Sequence, residues 1–327
     1  MIITKGRYVT GYRVASTEML RLASSKLLGF YGGNHQNPSE SLMRCVIPED
    51  GNIFVSPDQA GAEALVVAME CRPGRMRKLF ELGIKPHSYM ALQLFTDRFK
   101  GDQPAARYKA VDPAILASYP ECKALLNLIK NAVREYFLGK KTIHSFNYQE
   151  GPRTFQLTTL EESGGTIVLS FKESKEFHSI WAATFNEVVE WQGETIARQK
   201  RDRLLRNLFG YPRRFERNWN DSVERQGLAY VPQSTVAAVT HKAFTSLYKR
   251  IKQERLPWRL LNNKHDSFLL ECPENHKDQA IAYSKEHMGQ ELKSSRGEIY
   301  RMKVGVSVGR NWGHYDEAHN KDGLKEL

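Results

Sequence analysis

Two aspartates stand at the ends of apolar runs that are far apart in the sequence. Asp58 follows the run NIFVSP and comes just before a helical pattern, and Asp266 lies in the polar turn of NNKHDSFLLECPE. If both runs are strands of one sheet, the two carboxylates can share a site. Such a pair can hold two hard divalent cations, which stabilise both oxygens of an in-line phosphoryl displacement. Taken singly, Asp58 also suits a helix N-cap and Asp266 an ordinary turn.

A second group of polar side chains follows one face of a predicted helix. Lys140, His144 and Tyr148 are spaced four residues apart, so they share that face. A cation, an imidazole and a phenol in a row suit a triphosphate and a stacked base. The alternative is a solvated face with a snorkelling lysine, which is the better interpretation of such a face in isolation. Glu63 likewise has an alternative, as a first-turn acid that favours the helix dipole.

Strand patterns near both chain ends, with helical patterns between them, are the elements that would position these groups. Strands are predicted in 45–58 around an Asp-Gly turn, in a hairpin over 259–273 and in 302–312. Helical patterns cover 59–98, 114–138 with a break at Pro120, 174–208 up to a stop at Gly210 to Pro212, and 228–256 after Pro232. We therefore predict an α+β fold, with an antiparallel sheet built from both chain ends and a largely helical insertion.

The composition narrows the class of partner. Lys and Arg outnumber Asp and Glu by 48 to 37, which gives a net charge of +11. An excess of that size favours a polyanion, with nucleic acid ahead of an anionic membrane surface. The four cysteines form no CxxC pair, so we expect reduced intracellular thiols and neither a zinc site nor a disulfide framework. We find no signal peptide and no stretch of eighteen apolar residues, and we therefore expect a cytoplasmic protein without a membrane span.

Six segments, in this order, resemble the polymerase region of family A DNA polymerases, especially the phage-type members. The resemblance runs from about residue 6 to residue 312. The segments are VASTEMLRLASSKLLGFYGGNHQNPS, DQAGAEALVVA, ELGIKPHSYMALQLF, KKTIHSFNYQEG, LFGYPRRF with ERQGLAYVPQSTVAAVTHKAF, and KHDSFLLECPE. The resemblance implies a palm in two parts, 1–68 and 223–327, with fingers at 69–222. For a viral protein, the expected location is the host cytoplasm.

The resemblance also implies a role for each matching residue. Asp58 and Asp266 would bind two Mg²⁺ ions with help from the Gln59 backbone carbonyl, and Glu63 would act as a steric gate against a ribose 2′-OH. The residues expected to meet the incoming dNTP are Glu63, His87, Arg134, Lys140, His144 and Tyr148. The residues expected to meet primer-template DNA are Arg21, Asn34, Gln36, Asn37, Arg225, Gln233 and His265.

Some positions depart from the family pattern. Ser267 stands where the family has a third acid, and Tyr136 stands where a triphosphate-binding arginine is expected. Arg134 or Lys141 could take the place of that arginine. Since both metal carboxylates are kept, we expect template-directed addition of dNTPs to a primer 3′-OH. The alternatives are a catalytically weakened module that only binds primer-template DNA, and a single-subunit RNA polymerase.

The family's polymerase region begins with a helical thumb, usually after a 3′–5′ exonuclease domain. The sequence starts at the segment that follows the thumb, so we expect a separate polypeptide that carries the thumb and the exonuclease. In this split-polymerase hypothesis, Tyr8, Val9 and Tyr12 are candidates for an apolar docking surface. Ordinary strand residues are the alternative for all three.

Overall fold

The computed structural model describes residues 9–13, 17–26, 33–59, 61–216 and 218–327. In the first part of the chain, a small antiparallel hairpin precedes one short helix, one long strand and the helix that follows this strand. These elements are β1 (Gly11–Arg13), β2 (Ala23–Ser25), α1 (Glu40–Arg44), β3 (Asn52–Gln59) and α2 (Ala62–Glu70).

The strand predicted before the Asp-Gly turn is wrong. Ser39 caps α1 by accepting a hydrogen bond from the Leu42 amide, and the chain after α1 runs without strand pairing as far as β3. In this loop the Val46 carbonyl accepts a hydrogen bond from the Trp312 amide at 3.0 Å. Pro48 has no amide hydrogen to donate, which weakens any ladder here. The strand predicted after the turn is confirmed as β3.

Helices make up most of the middle of the chain, as predicted. They are α3 (Arg75–Glu81), α4 (Pro86–Leu94), α5 (Thr96–Phe99), α6 (Pro113–Ser118), α7 (Cys122–Asn131), α8 (Val133–Asn147), α9 (Pro152–Glu162), α10 (Phe171–Thr184) and α11 (Asn186–Asp202). A short hairpin and a helix of 33 residues follow, as β4 (Leu204–Arg206), β5 (Pro212–Arg214) and α12 (Asp221–Gln253). The predicted break at Pro120 is confirmed, because it separates α6 from α7.

Three predicted helix limits are wrong. The single run over 174–208 is divided at Phe185, whose backbone is not helical and whose ring is fully buried against Tyr89. Helix α11 ends at Asp202, and the predicted run continues into the β4–β5 hairpin, which turns at Gly210 with φ of 83°. Pro232 does not start a helix but lies inside α12, which begins after the Asn220 cap. Packing on both sides of Pro232 outweighs its missing hydrogen bond.

The last part of the chain completes the main sheet. Its elements are β6 (Arg259–Lys264), β7 (Ser267–Pro273), α13 (Lys277–Met288), β8 (Glu291–Lys293), β9 (Ile299–Arg301), β10 (Val304–Gly309) and β11 (Lys325–Glu326). The main sheet is antiparallel with strand order β11-β10-β3-β7-β6, so it is built from both chain ends as predicted. The β8–β9 hairpin and β11 were not predicted.

Helix α12 contributes side chains to the two largest hydrophobic cores of the described residues. One lies inside the helical middle and includes Trp181, Phe146 and Tyr89, together with Leu228 of α12. The other lies between the main sheet, α13 and the far half of α12, which contributes Leu247. Since one helix contributes to both cores, the predicted boundary at 222/223 stays a prediction, as does the one at 68/69. Within the described residues, no helix has the length and the apolar character needed to cross a membrane.

Candidate active site

Strand pairing brings Asp58 and Asp266 to the same end of the main sheet. Asp58 pairs with Ser267 across β3 and β7, and the Gln59 amide donates to the Asp266 carbonyl at 3.1 Å. The β6–β7 turn consists of His265 and Asp266, and His265 adopts the left-handed conformation with φ of 55°. This tight turn fixes Asp266 beside the end of β3, where the sequence predicted the shared site.

Both carboxylates hold their protons more tightly than isolated aspartates. Burial is the main cause for Asp266, whose pKa rises to about 6, and the charges of Asp58 and Glu63 raise it further. Burial also raises the pKa of Asp58, and Glu326 adds to the effect while Lys85 opposes it. Both side chains still reach solvent. Like charges that converge on an accessible point make protonation favourable when no cation is nearby.

This donor set fits a hard divalent cation such as Mg²⁺. It offers carboxylate oxygens and an excess of negative charge, and no thiol or imidazole that would favour a softer metal. The pair is smaller than a three-residue cluster: in the described part of the chain, no three His, Cys, Asp or Glu side chains form a metal-binding group. The Gln59 side chain is buried and donates to Thr240 Oγ1 at 2.6 Å, so the predicted help from Gln59 rests on its backbone carbonyl and stays a prediction.

Glu63 is the centre of a polar cluster above the carboxylate pair. It lies in the first turn of α2, and the Tyr148 hydroxyl donates to Glu63 Oε2 at 2.7 Å. Arg21 forms an ion pair with the other oxygen of the same carboxylate, and Gln233 Nε2 lies 3.4 Å from Oε2. Burial and the Glu63 charge hold the pKa of Tyr148 well above its usual range. The phenol is therefore a neutral donor, and the structure brings four predicted site residues together.

The exposed face of α8 carries the predicted nucleotide-binding group. Lys140 and His144 are exposed one turn apart, and Tyr148 follows the last helical residue, so the predicted spacing along one helix is observed. The nucleotide-binding role of these residues stays a prediction. The His87 ring, in the first turn of α4, lies 6.0 Å from the His144 ring and 6.2 Å from the Tyr136 ring. Burial lowers the pKa of His87 to about 3, with further lowering by His144 and Lys140. His87 is thus neutral at physiological pH.

A cleft of about 480 Å³ opens between the end of α8 and α12. Its walls include His144, Tyr148, Arg225 and Gln233, and Met19 closes one side. His265 stands near the same cluster, because Arg21 and Lys264 contribute to the lowering of its pKa after burial. This cleft has the size of ordinary ligand sites in proteins. Met19 was not singled out in the sequence, where an isolated apolar side chain carries no signal.

Several predicted residues lie outside this cluster. Arg134 pairs with Glu135 at 3.6 Å and stands 5.9 Å from the Phe95 ring, about a third of a turn around α8 from Lys140. Its suggested substitute, Lys141, is buried in an ion pair with Glu162 at 2.6 Å. Neither side chain lies on the Lys140 face, so the expected replacement of the missing arginine is not seen.

Part of the segment that is predicted to contact DNA makes hydrogen bonds inside the protein. Gln36 is buried, and its side chain accepts from the Ser24 amide at 3.1 Å and donates to the Asn263 carbonyl at 3.4 Å. Asn34 Oδ1 accepts from the Gln36 amide at 2.8 Å, and both Asn34 and Asn37 are exposed. A DNA contact is therefore open to the two asparagines and not to the buried glutamine.

Two of the residues suggested for docking a partner, Val9 and Tyr12, also make contacts inside the protein. The Tyr12 hydroxyl donates to Asn262 and accepts from the Asn263 amide at 2.9 Å, so this side chain fastens β1 to β6. Val9 is half-buried, and its carbonyl accepts from the Gly33 amide at 3.2 Å. Tyr8 lies outside the described residues. For Tyr12, the ordinary structural role is the one observed.

Comparison with solved structures identifies the class of fold. The chain is similar to a structure described as the POL domain of Pol1 from M. smegmatis in complex with DNA primer-template and dNTP. The TM-score is 0.68 at 19% identity, and the match covers 95% of this chain and 49% of the other. The predicted palm-and-fingers type of α+β fold is thereby confirmed.

Sequence comparison points to a family for part of the chain. Residues 158–314, just under half of the chain, match the model described as DNA polymerase family A. The chain is 22% identical over 321 residues to DNA polymerase I of Caldicellulosiruptor bescii, and 24% identical over 319 residues to the thermostable DNA polymerase I of Thermus filiformis. Each match covers 94% of this chain and 32% of the relative, so the chain spans about a third of their length. The phage-type assignment stays a prediction.

Proposed function

We propose that the chain is a template-directed DNA polymerase that adds dNTPs to a primer 3′-OH. The observation that carries this proposal is the pair Asp58 and Asp266, which meets at one end of the sheet beneath the Glu63 cluster. The relatives named DNA polymerase I, and the fold shared with a polymerase domain that holds primer-template DNA and dNTP, support it.

Asp58 and Asp266 would hold two Mg²⁺ ions, which supply charge to stabilise the attacking and leaving oxygens of phosphoryl transfer. The Lys140 ammonium, on the exposed face of α8 near His87 and His144, would bind the triphosphate as a point charge. His87 is neutral, so it would offer the phosphates a hydrogen bond and no charge.

The Glu63 cluster would position the sugar and the base. The carboxylate is held on both oxygens, by Arg21 on one side and by Tyr148 on the other. A side chain fixed in this way presents a rigid wall to C2′ of the incoming sugar, which is the arrangement a steric gate needs. Tyr148 would lie over the nascent base pair, and Arg225, Gln233 and His265 would meet the primer-template minor groove along the cleft.

A primer-extension assay tests the proposal. The purified chain is given a labelled primer on a longer template with Mg²⁺ and either dNTPs or NTPs, and DNA binding is followed separately by fluorescence anisotropy. Extension with dNTPs supports the proposal, whereas extension with NTPs alone would favour an RNA polymerase. Specific binding of primer-template DNA without extension would contradict the proposal.

That last outcome would favour the second candidate, a module that binds primer-template DNA with weakened catalysis. One observation favours it: Tyr136 replaces an expected arginine on the triphosphate face, and Arg134 and Lys141 are both engaged elsewhere. The proposal of a separate thumb-bearing partner stays a prediction, and for Tyr12 it loses a candidate contact. A pull-down with the purified chain, combined with processivity measurements, would test it.

A further inference from the structure

The end of helix α8, where Tyr148 follows the last helical residue, is held by a side chain from another helix. The last carbonyls of a helix have no amide partner within it and need donors from elsewhere. Gln192 of α11 supplies one, because its Nε2 donates to the Phe146 carbonyl at 2.6 Å and to the Asn147 carbonyl at 3.1 Å. Both of these neighbours are acceptors, so only the amide nitrogen can face them, which fixes the orientation of the glutamine.

The contact between α11 and the end of α8 is buried. Gln192 is 4% exposed and Asn147 is 2% exposed. Trp181 of α10 donates from Nε1 to Asn147 Oδ1 at 3.3 Å, so side chains from two helices hold the same residue. Removal of a donor from a buried carbonyl is costly, because water does not reach the carbonyl to replace the lost hydrogen bond.

The backbone immediately after α8 is strained. Gln149 adopts the left-handed conformation with φ of 56°, which glycine usually occupies at this place after a helix. The Gln149 amide donates to the Phe146 carbonyl at 3.1 Å, and the Glu150 amide donates to the Ser145 carbonyl at 3.0 Å. Gln192 donates to the same Phe146 carbonyl, so its hydrogen bonds help to offset the cost of this turn.

We propose that Gln192 is a positioning residue: it holds the end of α8, fixes Tyr148 against Glu63 and so raises the discrimination between the two sugars. Asn147 directly precedes Tyr148, whose hydroxyl donates to Glu63 Oε2 at 2.7 Å. A shift of the helix end would release the carboxylate on this side, while Arg21 still holds the other oxygen. The inference rests on the proposed function, because it concerns the same Glu63 cluster. Gln192 lies outside the six segments that carry the family resemblance.

Hydrogen–deuterium exchange at the end of α8 tests this contact and needs no enzymatic activity. Gln192→Met keeps the length of the side chain and removes its donor. We expect the amides of residues 148–150 to exchange about fivefold faster, the order expected for the loss of a buried hydrogen bond. Mass spectrometry of peptides that cover residues 144–150 measures this rate on the full chain. Gln192→Asn keeps the amide on a shorter side chain and should give a smaller increase, which decides the matter if Gln192→Met does not fold.

Gln199→Met is the matched control for a general loss of stability. Gln199 lies on the same helix, is fully buried and donates to a backbone carbonyl of α12, that of Val223, at 2.7 Å. Its substitution should lower the melting temperature by a similar amount and leave exchange at residues 148–150 unchanged. Unchanged exchange in Gln192→Met would overturn the proposal, as would an equal increase in Gln199→Met.

Sugar selection gives a second, separate readout. We expect Gln192→Met to raise ribonucleotide incorporation about threefold relative to deoxyribonucleotide, as measured by kcat/KM for each sugar. The rise should be smaller than in Glu63→Ala, because the carboxylate is still present. In a chain that already carries Tyr148→Phe, Gln192→Met should add no further rise, since the hydroxyl through which it acts is gone.

Additive effects of Gln192→Met and Tyr148→Phe on this ratio would overturn the role in sugar selection, because they would show that Gln192 does not act through Tyr148. If the unchanged chain does not extend primers, the proposed function fails. The exchange comparison still decides in that case whether Gln192 fixes the end of α8.

Discussion

At the scale of single residues, the carboxylate pair carries the proposed chemistry. The pKa of Asp266 is raised to about 6 by burial, by Asp58 and by Glu63, so a cation that replaces the proton relieves repulsion already present in the site. This is the physical reason why the pair suits metal binding better than a structural role. A hydrogen bond from the backbone amide of Asp266 itself opposes the rise in its pKa, but it does not offset the effect of burial.

Substitution of either aspartate tests this role. We expect Asp58→Ala and Asp266→Ala each to abolish primer extension, because each removes a ligand of the cations that offset transition-state charge, at a cost of several kcal/mol. DNA affinity, measured by anisotropy, should stay within about twofold, since neither side chain is expected to meet phosphates. Retention of more than a tenth of the rate, an effect below about 1.4 kcal/mol, would contradict the assignment.

Glu63 makes a different prediction, about sugar selection. Its carboxylate is fixed by Arg21 and Tyr148, so Glu63→Ala removes a rigid wall beside the sugar. We expect incorporation of ribonucleotides to rise at least tenfold relative to deoxyribonucleotides, as measured by kcat/KM for each sugar. Tyr148→Phe removes only the hydroxyl that holds Glu63, and a smaller rise in the same direction is expected. An unchanged ratio in Glu63→Ala would refute the gate.

At the scale of elements, the four-residue spacing of side chains on α8 gives the helix an exposed polar face, which is the proposed nucleotide-binding face. Lys140 and His144 are exposed on it, while Leu138, Ile143 and Phe146 are buried in the core of the helical middle. The burial of the other face sets the rotation of the helix, and that rotation leaves Lys140 exposed on the opposite face.

Substitution of Lys140 tests that face. We expect Lys140→Ala to weaken apparent dNTP affinity about tenfold while DNA affinity changes less than twofold, because a point charge on a triphosphate acts on the substrate and not on the duplex. Steady-state KM for dNTP and anisotropy with primer-template DNA separate the two effects. Lys123→Ala, an exposed lysine on α7, is the control. An equal loss of both affinities would mean that Lys140 contacts DNA phosphates.

The elements that could be predicted from the sequence are those with a strong local signal. The hairpin around His265 and Asp266 has a polar turn between apolar strands, and the α8 face has a regular spacing of four. The division at Phe185 has no glycine or proline signal, because it results from burial of that ring against Tyr89. The prediction that a helix starts after Pro232 is wrong for a related reason, since packing along α12 outweighs the one hydrogen bond that the proline cannot make.

The candidate site shows the same division between local and long-range information. The Glu63 contacts with Arg21, Tyr148 and Gln233 join segments that are far apart in the sequence, and only the family resemblance placed these residues in one site. The edge strand β11 had no such help, since a strand of two residues carries almost no sequence pattern. The engagement of Arg134 and Lys141 likewise depends on partners that spacing along α8 does not reveal.

At the scale of the whole molecule, the burial of neutral histidines couples stability to pH. Burial is the first cause of a lowered pKa in seven histidines: His35, His87, His144, His178, His241, His265 and His287. Each such group is neutral in the folded chain and gains a proton on unfolding below about pH 6.5. Their contribution to stability is therefore complete above pH 6.5 and is lost as the pH falls toward the folded-state values. The raised pKa of Asp266 acts in the opposite direction over the same range, so a single group must be isolated.

His35 is the group best suited to that measurement. It is buried near Trp312, with ring centres 6.5 Å apart, and burial lowers its pKa to about 4 even though a hydrogen bond to the Val9 backbone opposes the shift. Between pH 7.5 and pH 4.5, the free energy of unfolding of the unchanged chain should fall by more than that of His35→Gln, with a difference on the order of 1 kcal/mol. Urea titrations at half-unit pH steps measure both curves. Parallel curves for His35→Gln and the unchanged chain would show that protonation of this buried ring does not oppose folding in acid.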